Sequence, residues 1–465
     1  MLTSANLSIL FFSIFASITF NGFFRNIAKT NNILIDIPEK SRKFHDRATP
    51  LTGGISIYVG ILVSALLLSG LTDINIDTQY SNKGLFKNSE ILGETLTRKY
   101  QVDDVEYDLS IEKDTQSQSV SVSIDIETDN QVPTQIKVEP TSDGNFLVTL
   151  ASGETQIYNY DNGEVSKVEL DESNVEKVLL TSLVSSNNII IDTVTLSALI
   201  CGALIIAIML FDDLFGLRAS YRLAFQAVIA YIFVVFSGES LLSVGNLLGD
   251  GSILLGSAST FFTVFCIVGL MNAFNMSDGL NGMCAMLGLV PLSFLLLLGS
   301  YHPGSLLLIG SIIGFLLYNL GYLGKKRRVF LGDTGSNLIG FCIAVACIFY
   351  SQGYAPAGVV INPVTALWFV AIPVLDCISV MTSRIIKGVM PFRPGRDHLH
   401  HMLLDKGLSS SQTLVCYIFA SILLCLFGLF LQKYFIAQEY ISFLIFVIFS
   451  LCYYVITRTQ LNKNA

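Results

Sequence analysis

Residues 190–218 read IIDTVTLSALICGALIIAIMLFDDLFGLR. From Thr193 to Phe211 the stretch carries no charge, and it ends on Asp212-Asp213. A helix needs about 20 apolar residues to cross ~30 Å of hydrocarbon. Two carboxylates at the end of such a helix are costly, and ionisable groups at membrane depth are functional candidates by default. Working outward, runs of the same kind cover approximately 5–24, 53–72, 190–211, 221–237, 256–275, 281–300, 304–323, 335–352, 362–383, 411–431 and 440–457. Charged residues make up 14% of the 465, against roughly 25% in soluble domains. Such a chain cannot cover a water-facing surface, so a disordered protein, a nucleic-acid binder and an ordinary cytosolic enzyme are excluded. The prediction is an all-α polytopic membrane protein with about eleven transmembrane helices.

The net charge of −8 hides two opposite parts. Residues 73–189 hold 22 acidic and 8 basic side chains, whereas the rest holds 14 acidic and 20 basic ones. Threaded through the predicted spans, all the basic residues outside 73–189 except Lys433 fall on one side, and Lys/Arg-rich loops stay cytoplasmic. That puts the N-terminus out, the C-terminus in and 73–189 outside. Three parts follow: 1–72 with spans 1–2 and the first cytoplasmic loop, 73–189 as an acidic insertion, and 190–465 with spans 3–11. The insertion reads as β-rich: Val120, Val122, Ile124 and Ile126 alternate with polar residues, and groups such as Ser142-Asp143-Gly144-Asn145 mark turns. All nine cysteines lie outside it and form no CxxC pair, as small apolar side chains in membrane helices.

Five polar clusters sit at span ends on the inner side. The first runs from Asp36 to Gly54 and contains Lys43, His45, Arg47, Thr49-Pro50 and Gly53-Gly54. It reads equally as a positive flank and as a phosphate-contacting loop. The second is Asp212-Asp213: both carboxylates can point into one site, where their repulsion raises one pKa or recruits a cation, whereas a merely solvated helix end would set them against the macrodipole. The third, Asn272 to Gly282, contains Asn275, Asp278 and Asn281, and oxygen ligands at that density suit a hard cation such as Mg²⁺. The fourth, Gly332-Asp333-Thr334-Gly335-Ser336, offers Asp333 as a helix cap or a metal ligand. The fifth runs from Pro391 to His401, where Arg393 and Arg396 beside His398, His400 and His401 favour an anion over a transition metal. Asp376, inside span 9, is balanced between a structural ion pair with Arg384 and a functional role. The mixture suits Mg²⁺-assisted chemistry on a phosphorylated substrate.

In their order and on one face, these motifs resemble the polyprenyl-phosphate N-acetylhexosamine-1-phosphate transferases of the glycosyltransferase 4 (MraY-like) superfamily. The matching pieces are Ser41-Arg42-Lys43-x-His45 with Pro50-x-x-Gly53-Gly54, Asp212-Asp213, Asn272-x-x-Asn275-x-x-Asp278-Gly279, Gly332 to Ser336, and His398-x-His400-His401. The span count and the His-Leu-His-His-Met-Leu-Leu loop resemble the WecA-like branch. The insertion lies outside the resemblance.

The resemblance implies transfer of N-acetylglucosamine-1-phosphate, or a close relative, from a UDP-sugar to undecaprenyl phosphate. This would be the first membrane step of a cell-surface polysaccharide such as O-antigen. It implies a multi-pass protein of the bacterial inner membrane with a cytoplasmic site, and admits a homodimer. It assigns Mg²⁺, with Mn²⁺ as substitute, to Asn275 and Asp333, and catalysis to Asp212, Asp213 and Asp278. Substrate contacts fall to Lys43, His45, Arg47, Asn272, Asn281, Arg393, Arg396, His398, His400 and His401. Asn281 stands where many relatives carry Asp, which argues against proton transfer there. The alternatives are the same chemistry on UDP-MurNAc-pentapeptide in peptidoglycan synthesis, or a non-enzymatic transporter or lipid-binding protein.

Overall fold

A computed structural model describes residues 4–37, 47–71, seven strand segments between 95 and 167, and 193–298, 302–353, 360–391, 395–435 and 438–463. The chain divides into two units, Met1–Thr78 with Ile189–Ala465, and Gln79–Asn188.

The first unit is helical. It contains α1 (Ser4–Asn31), a two-residue ladder of β1 (Ile35–Asp36) and β2 (Thr49–Pro50), and α2 (Gly53–Leu71). After the second unit come α3 (Thr193–Phe215), α4 (Ala219–Ser237), α5 (Ser259–Met276), α6 (Met283–Leu297), α7 (Pro303–Asn319) and α8 (Gly332–Ser351). The chain closes with α9 (Pro363–Phe369), α10 (Ala371–Ile386), the short α11 (Leu399–Asp405), α12 (Ser410–Tyr434) and α13 (Glu439–Lys463).

Among the described residues, seven helices are long and apolar enough to cross a membrane, or eight if the bent pair α9–α10 is one span. Three more apolar helices, Gly53–Leu68, Met283–Leu297 and Pro303–Asn319, fall short. The expected runs at 281–300 and 304–323 were therefore too long. Residues up to Gly282, which has φ +79°, are spent on the loop before α6. Beyond Asn319 the chain turns through Gly321 at φ +85°.

The run at 362–383 also breaks, with an 80° bend between α9 and α10. Pro373 explains the position: it has no N–H to give Phe369, and its ring would crowd that carbonyl.

Most spanning helices bury under two-fifths of their length, but α8 buries 89% of its hydrophobic window. It packs against α2, α3, α5 and α6. Close approach is possible because a Cβ on Gly340 would come within 2.8 Å of the Met271 Cα and 2.9 Å of the Leu270 carbonyl. The central helix thus carries its first turn, with Asp333, into the midst of the others.

The second unit is a seven-stranded antiparallel sheet in chain order, β3 (Thr95–Val102), β4 (Val105–Lys113), β5 (Val120–Glu127), β6 (Thr134–Pro140), β7 (Phe146–Thr149), β8 (Thr155–Asp161) and β9 (Glu164–Lys167). Its register aligns Leu109, Ile124 and Ile136 in one row and Ile111, Val122 and Val138 in another. The turn group Ser142–Asn145 lies outside the described residues.

Candidate active site

The site begins where α2 meets α8. The Gly53 and Gly54 amides donate to the carbonyls of Phe330 (2.9 Å) and Leu331 (3.0 Å), and the Phe330 amide donates to Pro50 (2.8 Å). A Cβ on Gly54 would collide with the backbone of Thr334 and Gly335. The glycine pair thus serves as a seat for the start of α8. Asp333 lies in the first turn of α8, yet no side chain caps that helix. Of the two readings of Asp333, the cap is therefore excluded.

The Asp333 carboxyl instead meets Arg222. The Arg222 Nη1 lies 3.2 Å from Asp333 Oδ2 and 3.1 Å from Asp212 Oδ2, bridging α3 and α8. Asp212 Oδ1 accepts from the Leu217 amide at 2.6 Å, which ties the carboxylate to the turn after α3. Its neighbour Asp213 has Oδ2 buried without a hydrogen-bond partner. The carboxyls of Asp212, Asp213 and Asp333 lie close enough to repel one another. Asp278, in the loop after α5, joins them: burial and the charge of Asp333 push its carboxyl up to about 8. One guanidinium therefore bonds two of these carboxyls, Asp212 and Asp333, and its charge also reaches Asp213.

Amides frame this cluster. Asn275 Nδ2 donates to Ser336 Oγ at 3.0 Å and bonds the Asp333 carboxyl, which leaves Oδ1 for a cation. Asn272 donates to Gln226 (2.8 Å), Gln226 donates to Asn337 (2.6 Å), and Asn337 donates to the Asp333 carbonyl (2.8 Å). Asn272 is thus engaged in a buried amide chain that backs the first turn of α8. Asn281 is partly buried in the loop before α6.

The histidine loop closes the other side. A Cβ on Gly279 would collide with the His400 ring, so only glycine lets the Asp278 loop lie against it. His400 is 2% exposed, stacks against His398 at 5.6 Å between ring centroids, and lies 4.2 Å from the His401 ring. Burial, then the neighbouring His401 and His398, push His400 down to about 3. Burial, then Arg396, push His401 down to about 4. Both are neutral near pH 7, so charge for an anion has to come from arginine.

The reading of Asp376 as an ion pair with Arg384 is corrected. Asp376 Oδ2 lies 2.8 Å from His398 Nδ1, while Oδ1 accepts from the Leu399 amide (3.0 Å) and the Tyr453 hydroxyl (2.9 Å). Arg384 forks onto Asp397 through Nε (2.9 Å) and Nη2 (2.6 Å), and its Nη1 donates to the Pro391 carbonyl (2.7 Å). Although burial alone would raise the Asp397 carboxyl, Arg384 holds it below the usual range. Arg384 lies a little over two helical turns past Asp376, about 12 Å along the same helix, so Asp376 takes its partners from the His398–Leu399 segment and α13 instead.

The structure brings together Asp212, Asp213, Asn272, Asn275, Asp278, Asp333, His398, His400 and His401. Arg396 pairs with Asp405 at 3.1 Å on the surface, beside the histidines and near enough for its charge to act on His401. Arg47 is exposed, with its carbonyl accepting from Thr49. Lys43, His45 and Arg393 lie outside the described residues. Sequence reasoning missed Arg222, Gln226, Asn337, Tyr453 and Arg458. A signal existed for the first: Arg222 is a charge inside the apolar run 221–237, and such charges are functional candidates.

Chemically, the cluster offers hard oxygens in negative surplus. Among the described residues no three His, Cys, Asp or Glu converge as a metal cage. Mg²⁺ does not need one, since it commonly takes one or two carboxylates together with substrate phosphates. The orphaned Asp213 oxygen, the Asn275 carbonyl and Asp333 fit that ion.

Comparison with known sequences agrees with this chemistry. The pattern of glycosyl transferase family 4 matches residues 195–351, a stretch holding every carboxylate and amide of the cluster. The undecaprenyl-phosphate alpha-N-acetylglucosaminyl 1-phosphate transferase of Yersinia pestis is 35% identical over 262 residues, covering 55% of this chain and 71% of that protein. Its Escherichia coli K12 counterpart is 33% identical over 256 residues, covering 54% and 69%. The Haemophilus influenzae counterpart is 36% identical over 262 residues, covering 55% and 73%. A buried acidic cluster at helix ends, matched through those helices to transferases over more than two thirds of their length, leaves one conclusion: the chain belongs to glycosyl transferase family 4.

Proposed function

We propose that the protein transfers N-acetylglucosamine-1-phosphate from UDP-N-acetylglucosamine to undecaprenyl phosphate, releasing UMP. One observation supports this above others: Arg222 bridges Asp212 and Asp333 while the Asp278 loop rests on His400, so carboxylates, amides and histidines from α3, α5, α8 and the α10–α11 loop share one site. An oxygen of the lipid phosphate attacks the β-phosphorus of the sugar nucleotide. A new P–O–P bond forms, the old one breaks, and its bridging oxygen leaves on UMP. The nucleophile is already anionic near neutral pH, so Asp212 and Asp213 have little proton to remove, and Asp212 orients the attacking phosphate through Arg222.

Asn275, Asp333 and Asp213 would hold Mg²⁺, which neutralises charge building on the diphosphate. Asp278, Asn272, Asn281, Arg393, Arg396, His398, His400, His401, Lys43, His45 and Arg47 would contact the nucleotide and sugar. The three short apolar helices and the bent pair complete eleven spans in the inner membrane, with the site cytoplasmic and 73–189 outside. The sheet is dispensable for turnover.

The test uses protein purified in detergent with Mg²⁺, undecaprenyl phosphate and a panel of UDP-sugars, UDP-MurNAc-pentapeptide included, with lipid-linked product and UMP measured together. Product from UDP-N-acetylglucosamine supports the reading, and UMP from none of them overturns it. Exchange of labelled UMP into the sugar nucleotide without lipid would instead favour a two-step path through an aspartyl phosphate.

A further inference from the structure

His398 reaches the site with one nitrogen already committed. Asp376, 2% exposed, receives the Leu399 amide and the Tyr453 hydroxyl on Oδ1 and faces His398 Nδ1 with Oδ2. A carboxylate has lone pairs and no proton to give. Its three neighbours therefore all donate, so the ring nitrogen that faces Asp376, His398 Nδ1, carries a proton. The opposite ring nitrogen, Nε2, points away from Asp376, and in the neutral Nδ1–H tautomer it carries the lone pair.

The last helix braces this arrangement from behind. Tyr453 and Arg458 both belong to α13. Arg458 donates through Nη1 to the Asp397 carbonyl (3.1 Å) and through Nε and Nη2 to Ser379 Oγ (3.0 and 2.8 Å). Arg384 grips the Asp397 side chain from α10. The peptide just before His398 is thus held from two helices, and the ring from a third direction by Asp376.

We propose that Asp376, with Tyr453 and Arg458 of α13, is a positioning group that locks His398 as the Nδ1–H tautomer, so that Nε2 accepts a hydrogen bond from a hydroxyl or acetamido N–H of the N-acetylhexosamine. This rests on the transfer reaction proposed above. The diphosphate has only acceptor oxygens at neutral pH and cannot satisfy a lone pair, whereas the sugar carries donors. His398 then reads the sugar, and arginine with the metal reads the diphosphate.

The decisive variant is Asp376→Asn. Its Oδ1 still accepts from Leu399 and Tyr453, but its NH₂ now faces His398 Nδ1, which must become an acceptor and move the proton to Nε2. Nitrogen-15 spectra of histidine-labelled full-length protein without substrate read the tautomer, the His398 signal being the one lost in His398→Gln. The wild type is expected to show a protonated Nδ1 and a bare Nε2, and Asp376→Asn the reverse. KM for UDP-N-acetylglucosamine should rise at least 30-fold in Asp376→Asn, with the thermal midpoint nearly unchanged. Tyr453→Phe, which removes one of three donors, should raise it 3- to 10-fold, and Arg458→Lys by less.

A wild-type Nε2 that carries the proton, or an Asp376→Asn enzyme with unchanged KM, would overturn the proposal. Absence of wild-type turnover with every sugar nucleotide would instead sink the transfer reaction, while the spectra would still decide the tautomer.

Discussion

Two halves of the site handle charge in opposite ways. Behind the histidines, Asp376 has three partners, Asp397 has a forked arginine, and Arg458 is spent on a carbonyl and a hydroxyl, so every charge there is matched even though the neutral His400 ring has both nitrogens buried without a partner. In the carboxylate half, one arginine is shared between two acids, and a buried oxygen of Asp213 has no partner. Buried polar groups normally find partners. The frame whose charges are matched is scaffold, and the half left in deficit is where, under the proposed function, a cation and a charged substrate would complete the balance.

The largest effect should come from removing one source of the negative surplus. Asp333→Asn keeps shape and burial but removes the charge, and turnover should fall by at least about 10³-fold, the scale of losing one electrostatic group at a reacting centre. Because helix insertion does not depend on that charge, the protein should still purify folded; retained turnover would break the comparison. Arg222→Gln should lower turnover about 10²-fold and shift the Mg²⁺ concentration needed for half-maximal rate, since the variant removes the cation now bridging Asp212 and Asp333.

In the satisfied half the loss should appear as stability. Arg384→Met leaves Asp397 without its forked partner, and breaking such a pair costs about 3 kcal/mol, read as a lower thermal midpoint in detergent.

The halves should also answer pH with opposite signs. Asp278, raised to about 8 in the folded protein, keeps a proton that the unfolded chain has lost above its ordinary value near 3.8. Its contribution is full below that value and disappears as pH climbs through 8. His400, lowered to about 3, stays neutral where the unfolded chain takes up a proton. Its contribution is full above 6.5 and is lost as pH falls towards 3. In chelator, Asp278→Asn should flatten the alkaline fall in midpoint, and His400→Leu the acid one; a shared slope of one sign would show that the halves do not differ. The smallest effect should follow deletion of 73–189, with turnover of the remaining body changed less than twofold.

How much of this was legible from the sequence differs between the same two halves. Asp212-Asp213, Asn275, Asp278 and Asp333 announced themselves because polar groups at the ends of apolar runs stand out by contrast. Arg222, Gln226 and Asn337 were hidden within runs whose average was apolar, although each is a polar interruption. The partners of Asp376 were not readable at all. Arg384 follows on the same helix and drew attention, but the return of the His398–Leu399 segment and of α13 set the contacts. Gly53-Gly54 and Gly279 were visible as glycines, yet their purpose, backbone against backbone and loop against an imidazole, exists only in the packed chain.

The central claim is that the unbalanced half is completed by a metal-bound sugar nucleotide facing a lipid phosphate. The most direct measurement is UMP release by the purified full chain from UDP-N-acetylglucosamine, with undecaprenyl phosphate and Mg²⁺ each added or withheld. UMP equal to lipid-linked product, requiring both additions and absent in Asp333→Asn, is the predicted result. UMP release that is unchanged by that substitution, or absent with both additions present, would contradict the account.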